Sequence, residues 1–326
     1  MIKYDYVKFQ MNRPSPYSIA WDVTNKCNLN CKHCFNYSGD VKKYNFENEL
    51  SYDEFISVAK QIAAIKPDQC CLCGGETLLN PYIYEAIKIL TEAGIITNMV
   101  SNGYFLTKEV AQKLKLVNIN SVQISVDGLG FQHDIFRNKQ GAFDHAIEAL
   151  INLHDANVDT MVSFCPNRLN YQNFDMFADY IKRIAFCKTI RMMPLLPSGR
   201  GKSNFEELSL SSKEQFEFVN TIKRFAFQHQ DYSIEWGDPL EHLYLILLNR
   251  RRYPVVMCIS ANGDLKVTPY IPIKVGNLRK KSIEYYWKNG YSKIFDDKRI
   301  IEIIKKVRTI LDLQDISETE FLYDIP

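Results

Sequence analysis

Three cysteines within eight residues are the feature of this sequence best suited to chemistry. Residues 27–35 read CNLNCKHCF, so Cys27, Cys31 and Cys34 have the spacing Cys-x3-Cys-x2-Cys. The chain has 9 cysteines, an odd number that fits a disulfide framework poorly. Clustered thiols with polar neighbours are typical of metal binding in a reducing compartment. We therefore predict a metal site in this segment.

Two kinds of metal site could use these thiols. A structural zinc ion takes four ligands, and its cysteine pairs are usually repeated. His33 is poorly placed as a fourth ligand because it lies between two cysteines, and no second Cys-x2-Cys pair follows. An iron–sulfur cluster is held by thiolates through its irons. With three thiolates one iron stays open, and a small molecule could coordinate there.

Alternating strands and helices are predicted to position this segment. The pattern YSIAWDVT predicts a strand over 17–24, and a capping box at Ser51 and Glu54 begins the next helix. About six such units indicate an α/β fold with parallel strands. Six units are fewer than a closed eight-unit barrel needs, so we predict a partial (β/α)6 barrel over residues 1–205.

The predicted barrel brings its loops to one rim. Functional groups in such folds lie at the carboxyl ends of the strands. The cysteine segment lies there, as do the segments GGET, SNG, SVDG and PSGRG. Beyond residue 205 the alternation is predicted to stop, and 206–326 forms a helical linker and a small α+β extension. A capping box at Ser212 and Gln215 is predicted for the linker helix, and an Asn262–Gly263 turn is predicted to join two strands.

These motifs, in this order, resemble the radical S-adenosylmethionine (SAM) superfamily over roughly residues 17–200. The resemblance implies that Cys27, Cys31 and Cys34 bind one [4Fe–4S] cluster and that SAM coordinates its open iron. It also implies that the reduced cluster transfers one electron to SAM. The products are methionine and a 5′-deoxyadenosyl radical, which abstracts hydrogen from a substrate.

The resemblance assigns SAM-binding roles to several loops. GGET resembles a Gly-Gly-Glu-Pro loop that binds the SAM amino group, with Thr77 in place of proline. Ser125 and Arg137 correspond to the groups that hold the SAM carboxylate, and a guanidinium suits that role by bidentate hydrogen bonding. MMPLLPSGRG resembles the loop on the adenine side. The complete predicted set is His33, Gly74, Gly75, Glu76, Thr77, Ser101, Asn102, Ser125, Asp127, Arg137 and Leu195.

The C-terminal region resembles the extension called SPASM or twitch. There a cysteine, a glycine turn and a Pro-Cys pair are followed by Gly-Asn-Leu. In this chain Tyr270 stands at the second cysteine position, and no cysteine follows Cys258. Since a further cluster needs several thiolates, we predict that the auxiliary cluster is lost and that Cys258 is a free thiol. Cys73 and Cys165 are predicted to be small hydrophobes that fill the barrel, with donation of a hydrogen atom to a substrate radical as the alternative.

Composition narrows the function further. Net charge is +2, and no apolar run is long enough to span a bilayer, so neither nucleic acid nor a membrane is expected as a partner. The N-terminus lacks a signal-peptide pattern, which predicts a cytoplasmic protein. The resemblance to SPASM/twitch members implies modification of a ribosomally made peptide, and the alternative that it also implies is action on a sugar, nucleotide or cofactor precursor. A third hypothesis is a non-catalytic iron–sulfur or zinc protein. Expected partners are flavodoxin or ferredoxin as electron donor and a separate peptide-recognition protein.

Overall fold

The computed structural model describes residues 13–249, 256–316, 321–322 and 325. Within these ranges eleven strands form one sheet in the order β11-β10-β9-β8-β1-β2-β3-β4-β5-β6-β7. The strands are β1 (Ser18–Thr24), β2 (Gln69–Gly74), β3 (Ile96–Ser101), β4 (Ser121–Ser125), β5 (Asp159–Phe164), β6 (Thr189–Met192), β7 (Ser233–Trp236), β8 (Val256–Ile259), β9 (Asp264–Lys266), β10 (Ile273–Asn277) and β11 (Phe321–Leu322).

Helices connect most of these strands. They are α1 (Tyr52–Ile65), α2 (Ile83–Glu92), α3 (Lys108–Leu116), α4 (Phe131–Arg137), α5 (Ala142–Asp155), α6 (Phe174–Ala185), α7 (Arg200–Leu208), α8 (Ser212–Gln228), α9 (Pro239–Asn249), α10 (Ile283–Lys288), α11 (Lys298–Ile304) and α12 (Asp312–Ile316). Each strand from β1 to β6 pairs in parallel with the next. The predicted α/β fold with parallel strands is therefore confirmed.

Helix starts follow the capping chemistry of the sequence. The predicted capping box of α1 is present, with Ser51 and Glu54 bonding reciprocally. The predicted box of α8 is wrong by one residue, because the observed pair is Ser211 and Glu214. A glutamate at this position carries charge that the helix N-terminus stabilises, and Glu214 accepts a 2.7 Å hydrogen bond from the Ser211 amide.

The two faces of β1 have different environments. Ile19, Trp21 and Val23 are buried, and the Trp21 ring lies 4.4 Å from the Phe55 ring of α1. Successive side chains of a strand point to opposite faces, so Ala20 and Asp22 point away from this layer into the interior of the barrel. The apolar face of β1 thus packs against the helices, and the opposite face lines the site described below.

The sheet continues on both sides of the six predicted strands. β7 pairs in parallel with β6, so the alternation of helix and strand persists beyond residue 205, contrary to expectation. This strand is only four residues long and largely exposed, and it therefore lacks an apolar pattern. On the other side, β8 pairs in parallel with β1, and β9 returns antiparallel through the predicted Asn262–Gly263 turn. The domain boundary at residue 205 stays a prediction.

No helix within the described ranges is long and apolar enough to cross a membrane.

Candidate active site

A cavity of about 310 Å³ opens at the carboxyl ends of the parallel strands. It brings together all but two of the residues predicted to form the site. Those that line it are Cys27, Cys31, His33, Cys34, Cys73, Gly74, Gly75, Ser101, Asn102, Ser125, Asp127, Arg137, Cys165 and Leu195. The two that do not are Glu76 and Thr77, which are fully buried behind the wall.

The cysteine segment is held by backbone contacts on several sides. The Lys32 amide donates to the Phe136 carbonyl at 3.0 Å, and Arg200 Nε donates to the Cys31 carbonyl at 2.9 Å. A Cβ placed on Gly75 would lie 2.1 Å from the Lys26 carbonyl oxygen, and one on Gly199 would lie 2.4 Å from that of Cys34. These approaches require glycine, so the loops after β2 and β6 clamp the segment.

The three predicted cluster ligands are free cysteines with different surroundings. Burial raises the pKa of the Cys27 thiol to about 12, and burial also raises the pKa of Cys31. Ligand thiols must lose their protons, so cluster binding here is coupled to deprotonation. Within the described ranges no three His, Cys, Asp or Glu side chains could hold a single metal ion. Three thiols lining one cavity are a donor set that fits an iron–sulfur cluster.

Polar groups lie beside two of these sulfurs. Asn102 Nδ2 is 4.0 Å from Cys27 Sγ, and Arg137 Nη1 is 3.9 Å from Cys31 Sγ. The Leu29 amide also donates to Cys27 Sγ at 3.5 Å. Hydrogen bonds to cluster sulfurs are one of the means by which a protein sets a cluster's reduction potential. These three donors are therefore suited to support a bound cluster.

Glu76 and Thr77 bind neighbouring loops and do not face the cavity. The Glu76 carboxylate accepts hydrogen bonds from Ser101 Oγ and the Asn102 amide, each at 2.8 Å. Thr77 Oγ1 donates to the Val100 carbonyl at 2.7 Å. Both residues thus tie the loop after β2 to the end of β3. In this loop only Gly74 and Gly75 line the cavity.

Arg137 forms a buried ion pair with Asp127. Its Nε and Nη2 lie 2.7 Å and 2.6 Å from Asp127 Oδ2, and the other carboxylate oxygen accepts from the Cys165 amide at 2.7 Å. Burial raises the pKa of Asp127, while the guanidinium opposes that rise. Two guanidinium nitrogens are thus already occupied, and Nη1 faces Cys31. A SAM carboxylate at Arg137 stays a prediction, with Asp127 as the group that orients the guanidinium.

His33 lies flat against Phe136, with ring centroids 4.1 Å apart. Burial holds the pKa of His33 well below its usual value, with the Arg137 charge adding to this, so the ring is neutral. Its buried Nδ1 has no hydrogen-bond partner within the described residues. This atom is available to a bound group, which is consistent with the predicted SAM role.

Three further thiols line the cavity. Cys73 and Cys165 were predicted there, whereas Cys258 on β8 was expected only as a free thiol. A hydrogen bond with Cys71 and burial raise the pKa of Cys73, and burial with nearby Asp127 raises that of Cys165. Burial raises the pKa of Cys258 to about 12. All three therefore keep the S–H form, which is the form that can donate a hydrogen atom.

Sequence reasoning missed the polar groups on the extension side of the cavity. Asp22, Ser260 and Lys266 line it from β1, the loop after β8, and β9. The alternation of β1 could have identified Asp22, because a charged residue interrupts a strand that is otherwise buried. No local signal could identify Ser260 or Lys266, since their position depends on β8 pairing with β1.

A second cavity of about 380 Å³ adjoins the first. It lies between the segment after the cysteines and the extension, and Tyr270 lines it. The residues that line both cavities are Asp22, Phe35, Asn36, Leu196, Ser260, Lys266 and Pro269. The two cavities thus share one wall.

Comparison with known proteins gives a consistent result. The family model described as the Radical SAM superfamily matches residues 21–184. The AdoMet-dependent heme synthase of Methanosarcina barkeri is 26% identical over 295 residues, which cover 85% of this chain and 83% of that protein. The mycofactocin maturase MftC of Mycolicibacterium smegmatis is 30% identical over 210 residues, covering 64% of this chain and 52% of its own length. This chain thus spans about half of MftC.

Among solved structures, Streptococcus suis SuiB bound to S-adenosylmethionine has the same fold. The TM-score is 0.69 at 13% sequence identity, and the match covers 95% of this chain and 77% of SuiB. SuiB bound to its precursor peptide SuiA matches with a TM-score of 0.68 at 14% identity, covering 93% of this chain and 71% of SuiB.

Proposed function

The chain belongs to the radical SAM superfamily, and on that premise we propose that it modifies a ribosomally made peptide. Members of this superfamily are enzymes that use a [4Fe–4S] cluster and SAM, so the predictions of enzymatic activity and of both cofactors are confirmed. The proposal concerns the substrate. The change made to the peptide would be a crosslink, an epimerisation or another side-chain alteration.

When bound, the cluster and SAM supply a 5′-deoxyadenosyl radical that abstracts hydrogen from the substrate. The chain's own part is to hold these groups and to exclude other hydrogen donors. Cys27, Cys31 and Cys34 would hold the cluster, and the clamped loops keep their spacing. Cys73 and Cys165 are proposed as thiols that return a hydrogen atom to the substrate radical. The thiyl radical left on the sulfur would regain its S–H bond by taking one electron from flavodoxin or ferredoxin and one proton.

The observation that supports a peptide is the pair of adjoining cavities. Most of the predicted SAM residues line the first cavity, and the second cavity adjoins it across the shared wall. A site in two sections suits a substrate that extends beyond the reacting group. SuiB, whose fold this chain shares, has been solved with a precursor peptide, and MftC is named a maturase.

A small-molecule substrate is the second candidate. The M. barkeri heme synthase matches over more of both proteins than the M. smegmatis MftC does. Its name gives heme as the product of that enzyme. This candidate therefore predicts activity on an iron porphyrin and no dependence on a peptide.

One experiment separates the two candidates. Enzyme reconstituted anaerobically would be reduced through flavodoxin or ferredoxin and incubated with SAM. It would receive either a peptide encoded beside its gene or an iron porphyrin. We expect a peptide mass change together with 5′-deoxyadenosine. A Cys34→Ala variant is the control and should form neither product. Conversion of the porphyrin without any peptide change would refute the proposal.

Two further expectations belong to this proposal. A separate protein would recognise the peptide leader, and pull-down with a tagged precursor peptide tests for it. A cytoplasmic location and a single cluster also stay predictions. About four irons per chain would agree with one [4Fe–4S] cluster.

A further inference from the structure

Three polar side chains converge on the wall shared by the two cavities. Asp22 lies on β1, Ser260 follows β8, and Lys266 lies on β9. Strand register explains the grouping, because Ala20 of β1 pairs with Cys258 and Cys258 pairs with Lys266. Residues two apart share one face of a strand. Asp22 and Ser260 therefore face the same side of the sheet as Ala20, Cys258 and Lys266.

These groups have hydrogen-bonding capacity left for a ligand, and the Asp22 carboxyl also accepts a hydrogen bond from the Cys73 thiol. Ser260 is only 8% exposed, yet its buried Oγ has no hydrogen-bond partner within the described residues. In the described part of the chain no nitrogen–oxygen distance of 4.0 Å or less joins Asp22 to Lys266. The carboxyl and the ammonium still interact electrostatically, since the Lys266 charge opposes the rise in the Asp22 pKa that burial causes. A gap therefore separates the Asp22 carboxyl, which accepts hydrogen bonds, from the Lys266 ammonium, which donates them.

The charges of this group limit what can bind in the gap. A carboxylate ligand would be attracted by Lys266 and repelled by Asp22, and an ammonium ligand would meet the reverse. A neutral amide presents an N–H donor and a C=O acceptor and brings no net charge. An amide can thus satisfy the carboxyl, the ammonium and the orphan hydroxyl together, and buried polar groups require such satisfaction.

We propose that Asp22, Ser260 and Lys266 bind one main-chain amide of the substrate and so position the residue that faces the SAM site. This inference rests on the proposed function, because it takes the substrate to be a peptide. In it Asp22 accepts from the amide N–H, and Lys266 donates to the carbonyl oxygen. The extension thus supplies part of the substrate site through β8 and β9.

The test measures binding of small probes to the cluster- and SAM-loaded enzyme by ligand-observed NMR. The probes are N-acetylalanine N′-methylamide, which is neutral, N-acetylalanine, a carboxylate, and alaninamide, an ammonium. We expect the neutral probe to bind best. Lys266→Met should weaken its binding about tenfold, because a hydrogen bond to a charged donor is lost. Ser260→Ala should weaken it by a smaller factor.

Lys274→Met is the matched control. Lys274 lies opposite Lys266 on the neighbouring strand, and its ammonium is 2.9 Å from Asp264. This variant should retain binding of the neutral probe within about twofold. Equal losses in the two lysine variants, or no binding of the neutral probe to wild-type enzyme, would overturn the inference. Tighter binding of the carboxylate probe through Lys266 would also overturn it.

The same variants separate this inference from the proposed function. If a peptide is modified and Lys266→Met leaves its KM unchanged, the proposed function stands and the inference fails. If only a porphyrin is converted, the proposed function fails, and the inference fails with it because that substrate has no main-chain amide.

Discussion

Replacing Arg137 with methionine should destabilise the protein strongly and in a pH-dependent way. The Arg137–Asp127 pair is buried, with side-chain exposures of 10% and 1%, and its nitrogen–oxygen distances are 2.6 Å and 2.7 Å. Removing one member of a buried pair leaves an uncompensated charge, which typically costs about 3–5 kcal/mol. That is a large share of the roughly 5–15 kcal/mol by which a domain is stable.

The sign of the pH dependence follows from the pKa of Asp127. Burial raises this pKa in the folded protein, and loss of the guanidinium in Arg137→Met raises it further. A carboxyl whose pKa is higher in the folded protein than in the unfolded chain lowers the stability once the pH rises above the unfolded pKa. This loss of stability disappears as the pH falls below the unfolded pKa. The penalty should therefore be larger at pH 8 than at pH 4, which lies near the ordinary pKa of an unfolded aspartate, about 3.9. The penalty should change by up to about 1.4 kcal/mol for each pH unit over which Asp127 is protonated in the folded state and ionised in the unfolded state.

Urea unfolding followed by circular dichroism, at pH 4 and pH 8, measures this effect. Arg168→Met is the control, because Arg168 pairs with Glu214 at the surface, where ion pairs contribute little. Adding Asp127→Asn to Arg137→Met removes the unpaired carboxylate and should recover part of the lost stability. The reasoning is refuted if Arg137→Met costs no more than Arg168→Met, or if its cost is the same at both pH values.

Three further predictions concern the cluster ligands, the loop after β2 and the contact of Asn80 with β1. Cys27→Ala should leave less than a quarter of the iron of wild-type protein, whereas Cys258→Ser should keep all of it; a loss of iron in Cys258→Ser would contradict the prediction of a single cluster. Gly75→Ala should lower iron content after reconstitution, because its Cβ would lie 2.1 Å from the Lys26 carbonyl oxygen; full iron loading would show that the clamp is dispensable. Asn80→Ala should lower the free energy of unfolding by about 2 kcal/mol, since Asn80 donates a buried 2.8 Å hydrogen bond to Val23; urea unfolding checks this, and an unchanged midpoint would contradict it.

Local sequence was sufficient to predict the ligands in the cysteine segment. The spacing of Cys27, Cys31 and Cys34 lies within one loop, so the ligand set can be predicted without any long-range contact. The six strands before residue 205 could also be predicted, since buried parallel strands carry continuous apolar patterns. The short exposed strand β7 lacked such a pattern.

Within the predicted SAM site, sequence indicated which loops take part but not which side chains face inward. Glu76 belongs to the predicted motif, yet its carboxylate bonds Ser101 and Asn102 behind the wall. Arg137 was expected to be free for a ligand, and Asp127 occupies two of its nitrogens. Orientation of this kind depends on contacts between loops that are far apart in the chain.

Motifs of a few residues and the periodicity of strands and helices were enough to indicate the family and the parallel α/β architecture and to predict the cluster ligands. The composition of the wall shared by the two cavities could be seen only in the folded protein. Lys266 lies more than two hundred residues after Asp22, and β8 and β9 bring the two together by pairing beside β1. Such pairing depends on register between distant strands, which no local pattern encodes.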